Sequence, residues 1–304
     1  MTSSALVLPR PAWQPAWIAE RTPVVVVVAI LMVIWYLAAF LMNAPLVRDA
    51  FQREGIKYSF SDVLAGTMKM ERPVVPAPHQ VVENFVDSIF DYPLDSRRSL
   101  AYHSWVTLSA TVVGFAIGAI FGIVLAILIV HMRTLEKSLL PWIICSQMVP
   151  ILAIAPIIIV VLGAIGIRGL FPKSIISAYL CFFPVTIGMV KGLTSPDPIQ
   201  LDLMRTWSAS KLQIFWKLRW PCSIPFLFAS LKVSVTISLV GAIVAELPTG
   251  AQAGIGARLL TGSYYGQTVQ IWAALLAAAI IATALIAIID ALAQLTARHM
   301  GAAA

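Results

Sequence analysis

Long apolar runs, unbroken by any regular return of polar residues, dominate the pattern of this chain. A helix with water along one side carries polar residues on that side, whereas one surrounded by lipid is apolar all round. Six runs reach or approach the roughly 20 residues that a helix rising about 1.5 Å per residue needs to cross a bilayer core about 30 Å thick. They occupy 24–42, 105–130, 139–162, 174–190, 226–245 and 268–289. In lipid each segment must satisfy its own backbone N–H and C=O groups, so each run predicts a helix. The expected fold class is all-α integral membrane with about six spans; the even count puts both termini on one side.

Composition agrees, because 60% of the 304 residues are hydrophobic and only 12% are charged, about half the charge of a typical soluble domain. The first run is too long for a signal-peptide core. It is followed by Asn43, Ala44 and Pro45 and not by a clear cleavage pattern, so we expect it to be retained. The expected organisation is a cytoplasmic tail over 1–22, rich in Pro and Trp, and a first transmembrane helix over 23–43. An extracytoplasmic cap of short helices follows over 44–103, broken by Pro73, Pro76 and Pro78, then a five-helix core over 104–297 and a tail over 298–304. Trp13 and Trp17 are expected at headgroup level.

The net charge of +7 is scattered among loops, which argues against nucleic-acid binding and bears on orientation instead. With both termini in the cytoplasm, short inside segments carry ten Lys and Arg, among them Arg133, Lys137, Lys191, Arg205 and Lys211, against Arg168, Lys173 and Arg258 in short outside loops. That excess favours this orientation; the seven basic residues of the long 43–104 segment weigh less, since long loops translocate largely regardless of charge.

Chemistry that would make the chain an enzyme or a motor is missing from the sequence. None of the eight lysines follows a glycine, so there is no GxxxxGK[ST] phosphate loop and ATP must be bound by another polypeptide. The four histidines are far apart, with no HExxH or GxSxG, which leaves a membrane enzyme poorly supported. Cys145, Cys181 and Cys222 show no CxxC spacing and read as small buried hydrophobes. A single PxDxxR match over 93–98 falls short of the three copies that a mitochondrial-carrier signature requires.

Within the spans, Gly114, Gly118 and Gly122 fall four apart, which clears one helix face for the close approach of another helix or a second copy. Pro141, Pro150 and Pro156 predict kinks in the third span. The absence of any internal repeat argues against a secondary transporter built from inverted halves. Gln147, Lys232, Ser234 and Glu246 are the candidates for a substrate path, because polar groups are costly in lipid. Lys232 could equally snorkel toward the headgroups, Glu246 and Asp290 lie near interfaces, and small hydroxyls commonly serve helix contacts.

Between the fourth and fifth spans the hydrophobicity drops. Asp197 before Pro198 is a helix start, a capping carboxylate ahead of a residue whose missing N–H would be unpaired anyway. Leu203 with Trp207 makes a short apolar face. A second short helix is expected from Ser208, with Leu212, Phe215 and Trp216 on one side, ending at Pro221 and Pro225. Helices this short are marginal alone and need a partner groove; an amphipathic pair lying on the lipid surface is the other reading.

This segment, 192–221, resembles the signature of type I ATP-binding-cassette (ABC) importer permeases: EAA, three residues, Gly, nine residues, Ile, any residue, Leu-Pro. Asp202, Leu203 and Met204 stand for the EAA, Ser208 for the glycine, Leu218 for the isoleucine, and Trp220 with Pro221 for the close. The stretches WSASKLQIFWKLRWPCSIPFLFASLKVSV and AELPTGAQAGIGARLL are similar to the nitrate, sulfonate, taurine and thiamine-pyrimidine-precursor branch of that family. The resemblance implies a coupling helix that docks on a separate ATPase, with Asp202, Arg205, Ser208 and Ala209 as contacts and Trp207 and Phe215 as apolar anchors. Serine tolerates positive φ poorly, so Ser208 is expected to give a somewhat different turn and to cap the second helix. Also implied are a second permease copy, two ATPase subunits holding ATP and magnesium, a periplasmic binding protein, an inner-membrane location and no cofactor in this chain. A self-contained secondary transporter or channel is the alternative.

Overall fold

A computed structural model of the chain describes residues 16–248 and 253–300, with side chains from Thr22 onward; Trp13 and the Trp17 side chain lie outside the described residues. Every regular element among these residues is a helix, and the chain divides into two compact units, up to Glu83 and from Asn84 onward.

The first unit is built on α1 (Ala16–Arg53), whose 38 residues extend about 57 Å at 1.5 Å per residue. Its first part holds the predicted span, and Val24–Val28 and Ile30–Ile34 stand exposed, as suits a helix whose solvent is lipid. The helix does not stop near Asn43 as expected but continues through Pro45 to Arg53. Asn43 is itself the reason that this stretch is held. Its buried side chain accepts the Val74 N–H at 2.8 Å and donates to the Val75 carbonyl at 2.8 Å. Ala44 and Val47 then pack on Val63 of α2 (Phe60–Met68), with Phe40, Phe51 and Tyr58 around them. A helix α3 (Pro78–Phe90) spans the boundary between the units.

In the second unit α7 (Leu170–Leu193) lies between α4 (Leu100–His131) and α10 (Trp220–Ala245). The glycine row of α4 faces α7 within this one chain. A Cβ on Gly114 would lie 2.6 Å from the Ser174 carbonyl, and on Gly118 2.7 Å from that of Ala178. On its other side α7 uses Gly188 and Gly192 against Ser230 and Ser223 of α10. Small residues on both sides let the three backbones approach closely, which is how helices gain van der Waals contact in lipid. Helices α11 (Ile255–Tyr264) and α12 (Thr268–His299) complete the unit, where Ile255, Ala274 and Ala277 enclose Leu100.

The predicted third span is two helices, α5 (Arg133–Ser146) and α6 (Ile151–Ala164), bent by 97°. Among the described residues five helices are long and apolar enough to cross a bilayer, six if this pair is one span. Pro141 and Pro156 lie inside their helices, whereas Pro150 sits at the break and precedes α6. It lacks the N–H that would continue the helix from Ser146, and its ring disfavours helical backbone before it.

Candidate functional site

The polar segment after α7 folds as the sequence predicts at its start. Helix α8 (Pro198–Thr206) begins with Pro198, and the Asp197 carboxylate accepts the Ile199 N–H at 2.9 Å. The Asp197 N–H in turn donates to Gln200 Oε1 at 3.3 Å, closing a reciprocal cap.

The turn that follows was expected to differ from a glycine turn, with Ser208 capping the second helix, and it does not. Ser208 has φ +53° and is the one non-glycine residue with positive φ among those described. Its N–H donates to the Arg205 carbonyl at 2.9 Å and the Ala209 N–H to that of Met204 at 3.0 Å. This is the hydrogen-bond pair of a Schellman motif, in which the left-handed position ordinarily belongs to glycine. Ser208 thus adopts the backbone of the residue it replaces, and the capping falls to Ser210, whose hydroxyl accepts from Gln213 N–H at 3.3 Å while Gln213 Oε1 accepts from Ser210 N–H at 2.8 Å. The Ser210-x-x-Gln213 pattern was the signal for this.

The second helix does not end at Pro221. After α9 (Lys211–Ile214) the backbone widens into a π-turn over Phe215–Arg219, where the Trp220 N–H reaches the Phe215 carbonyl, and then continues as α10. The wider turn accommodates a proline, which cannot donate and crowds the preceding turn. Arg219 reaches the Leu193 carbonyl at 3.4 Å, and Phe215 is buried with Ala126, Met189 and Leu193. Phe215 was expected to anchor a partner; it points inward and fastens the segment to α4 and α7.

What remains outside is an apolar row. Ile199 and Leu203 lie one turn apart on α8, Trp207 follows at its end, and Leu212 continues on α9; Trp207 is 73% exposed. Beside it Arg205 and Asp202 form an exposed ion pair at 2.8 Å, and Ser208 is exposed while Ala209 is partly covered.

Other path candidates are placed differently from one another. Glu246, expected near an interface, is completely buried just past α10. Lys173 donates to its Oε1 at 3.0 Å, and Thr107 and the Gly256 N–H to its Oε2 at 2.8 and 3.0 Å. Ser234 is also fully buried. Neither lines an open path: one is a clasp joining three helices and a loop, the other a small side chain between helices. Gln147 lies at the break of α5 and α6, where its Nε2 is enclosed without a partner among the described residues. Lys232 does not stand alone: it pairs with Asp290 of α12, with both side chains 41% exposed. The two stand 58 positions apart, which left no local pattern by which to join them.

The Glu246 clasp and the α8–α9 segment stand at opposite ends of the bundle. The first engages Thr107 near the start of α4 and Lys173 near the start of α7; the second engages Ala126 near the end of α4 and Leu193 at the end of α7.

Comparisons with known proteins fit this arrangement. Residues 118–302 match the family described as binding-protein-dependent transport system inner membrane component. A probable ABC transporter permease protein of Haemophilus influenzae is 31% identical over 200 residues, covering 64% of this chain and 80% of that protein. The formylaminopyrimidine transport permease protein of Halalkalibacterium halodurans is 29% identical over 183 residues, with 60% and 68% covered. A putative aliphatic sulfonates transport permease protein of Bacillus subtilis is 25% identical over 219 residues, with 72% and 75% covered. An all-helical membrane bundle, an exposed wedge between its central helices and a family match over more than half its length lead to one conclusion: the chain belongs to the inner-membrane permeases of type I ABC importers.

Proposed function

We propose that this permease passes a small polar or anionic solute of the sulfonate, taurine, nitrate or pyrimidine-precursor class, delivered by a periplasmic binding protein, and that a separate ATPase subunit grips it at the turn between α8 and α9. The reading rests on one observation: the exposed apolar row through Trp207 belongs to a segment fastened to α4 and α7 by Phe215 and to the end of α7 by Arg219. A force applied to the exposed side would be carried into the membrane helices through these Phe215 and Arg219 contacts.

In this proposal the termini and the wedge face the cytoplasm, and two copies of the chain pair around a path served by two ATPase subunits. ATP and magnesium are held by those subunits, and no bond is broken by this chain. Closure of the ATPase pair draws the wedges together and turns the path outward to receive solute. The relatives named for formylaminopyrimidine and aliphatic sulfonates support the solute class.

The test is reconstitution. Liposomes holding the permease and its ATPase are expected to take up solute only with ATP and the binding protein, and uptake by the permease alone would reject the importer reading in favour of a self-contained transporter. A panel of sulfonates, taurine, nitrate and pyrimidines offered to the binding protein identifies the cargo.

A further inference from the structure

The end of the bundle opposite the coupling segment holds a cavity of about 470 Å³ whose lining includes Arg97, Arg98 and Arg258, with Tyr92, Asn84 and Gln270 among its neutral polar groups and no carboxylate. That volume is within the range of small-molecule sites. Two of the arginines come from the PxDxxR stretch, which the permease fold leaves without a role.

The cavity is built and not merely left between loops. His103 is buried at the start of α4. Its Nδ1 lies 2.9 Å from the Gly254 nitrogen and 3.0 Å from the Gly254 carbonyl oxygen, and its Nε2 lies 2.9 Å from the Arg97 carbonyl oxygen. Arg258 donates from Nη1 to the Arg98 carbonyl at 2.6 Å. Both arginines of the loop are therefore held by their backbones, on either side of one peptide bond.

Arg258 is partly buried, yet its partners are neutral: the Arg98 carbonyl and the Ser88 hydroxyl at 3.3 Å. Among the described residues no carboxylate forms an ion pair with any of the three guanidiniums. Burial lowers the Arg258 pKa from the usual arginine value, opposed in part by Tyr92. A guanidinium carries five N–H donors, and a partly desolvated cation with spare donors is completed by an oxyanion, whose geometry matches its fork.

We propose that this cavity binds the oxyanion group of a free small solute. Its volume exceeds what one sulfonate or carboxylate fills, leaving room for the body of the molecule. The site stands on its own residues; its assignment to the solute-receiving side of the membrane rests on the proposed function.

The full chain in lipid nanodiscs, without ATPase or ATP, is titrated with radiolabelled sulfate and with methanesulfonate. Saturable binding that weakens with added salt is expected, reduced roughly ten-fold or more in the Arg97→Gln, Arg98→Gln double variant, since charge-assisted hydrogen bonds to the anion are lost. Arg168→Gln, exposed and outside the cavity lining, should bind as the parent does. Arg258→Gln should lose binding as well; because that side chain also braces the loop, the double variant decides if it misfolds. Absence of saturable binding of both anions, or undiminished binding by the double variant, overturns the proposal. So does a parent chain that binds neither anion while its double variant loses capture of the binding protein, which would assign the cavity to an acidic side chain of that protein. Failure here leaves the ATPase-coupling experiment unaffected.

Discussion

The clasp around Glu246 and the wedge around Trp207 lie at opposite ends of the same helices and are made in opposite ways. At the clasp a carboxylate with no exposed surface accepts from Lys173, Thr107 and Gly256. Gly254 packs so closely that a Cβ there would lie 2.0 Å from the carboxyl carbon. At the wedge the polar contacts are exposed and short in sequence range, Ser208 is held in a left-handed backbone, and the large apolar side chains face outward. Internal satisfaction thus marks the end that holds the bundle together, while unmet apolar surface on a braced segment marks the end that something else must hold.

Perturbing the two ends should separate stability from coupling. The largest effect is expected from Glu246→Ala, which leaves Lys173 nearly buried without its counter-charge and should cost about 3–5 kcal/mol. It is read as a fall in monodisperse yield and in the apparent Tm of the purified permease. A partner substitution, Lys173→Met, should recover part of the loss.

Trp207→Ala should leave the permease's own Tm unchanged yet weaken ATPase docking by about 2 kcal/mol, roughly thirty-fold in Kd, as loss of a central aromatic anchor does. Titration of the reconstituted permease with the ATPase measures it. Ser208→Gly should raise stability by about 1 kcal/mol by relieving the left-handed serine, seen as a small rise in apparent Tm. Smallest of all, Asp202→Asn should change the permease's own stability by less than about 1 kcal/mol, because the Arg205 pair is exposed. A large loss of ATP-driven uptake in that variant with unchanged Tm would then report a contact with the ATPase.

The apolar runs made the helices legible because length and hydrophobicity are local. Asp197–Pro198 likewise announced α8, and the glycine row announced a close helix contact without naming α7 as its partner. Three things were hidden for physical reasons. A lipid-exposed helix is apolar all round, so periodicity could not say that Ser234 faces inward, and the short amphipathic helix showed an apolar side for Phe215 without saying whether the core or a partner covers it. Polar pairs such as Lys173–Glu246 and Lys232–Asp290 join residues far apart in sequence, where spacing carries no signal. The left-handed Ser208 breaks a local preference, and only the glycine in the family signature hinted at its backbone. The elbow at Pro150 was foreseen as a kink, but its 97° angle depends on how the neighbouring helices receive α5 and α6.

The turn between α8 and α9 is the surface proposed for the ATPase, and site-specific photo-crosslinking probes that contact. A photoreactive residue is placed at position 207 and, separately, at position 264, where Tyr264 is exposed at the end of α11, and the assembled importer is irradiated in membranes. Position 207 is expected to crosslink to the ATPase subunit, increasingly on ATP binding, while position 264 gives no ATPase adduct. An ATPase adduct at 264 with none at 207 would contradict the account.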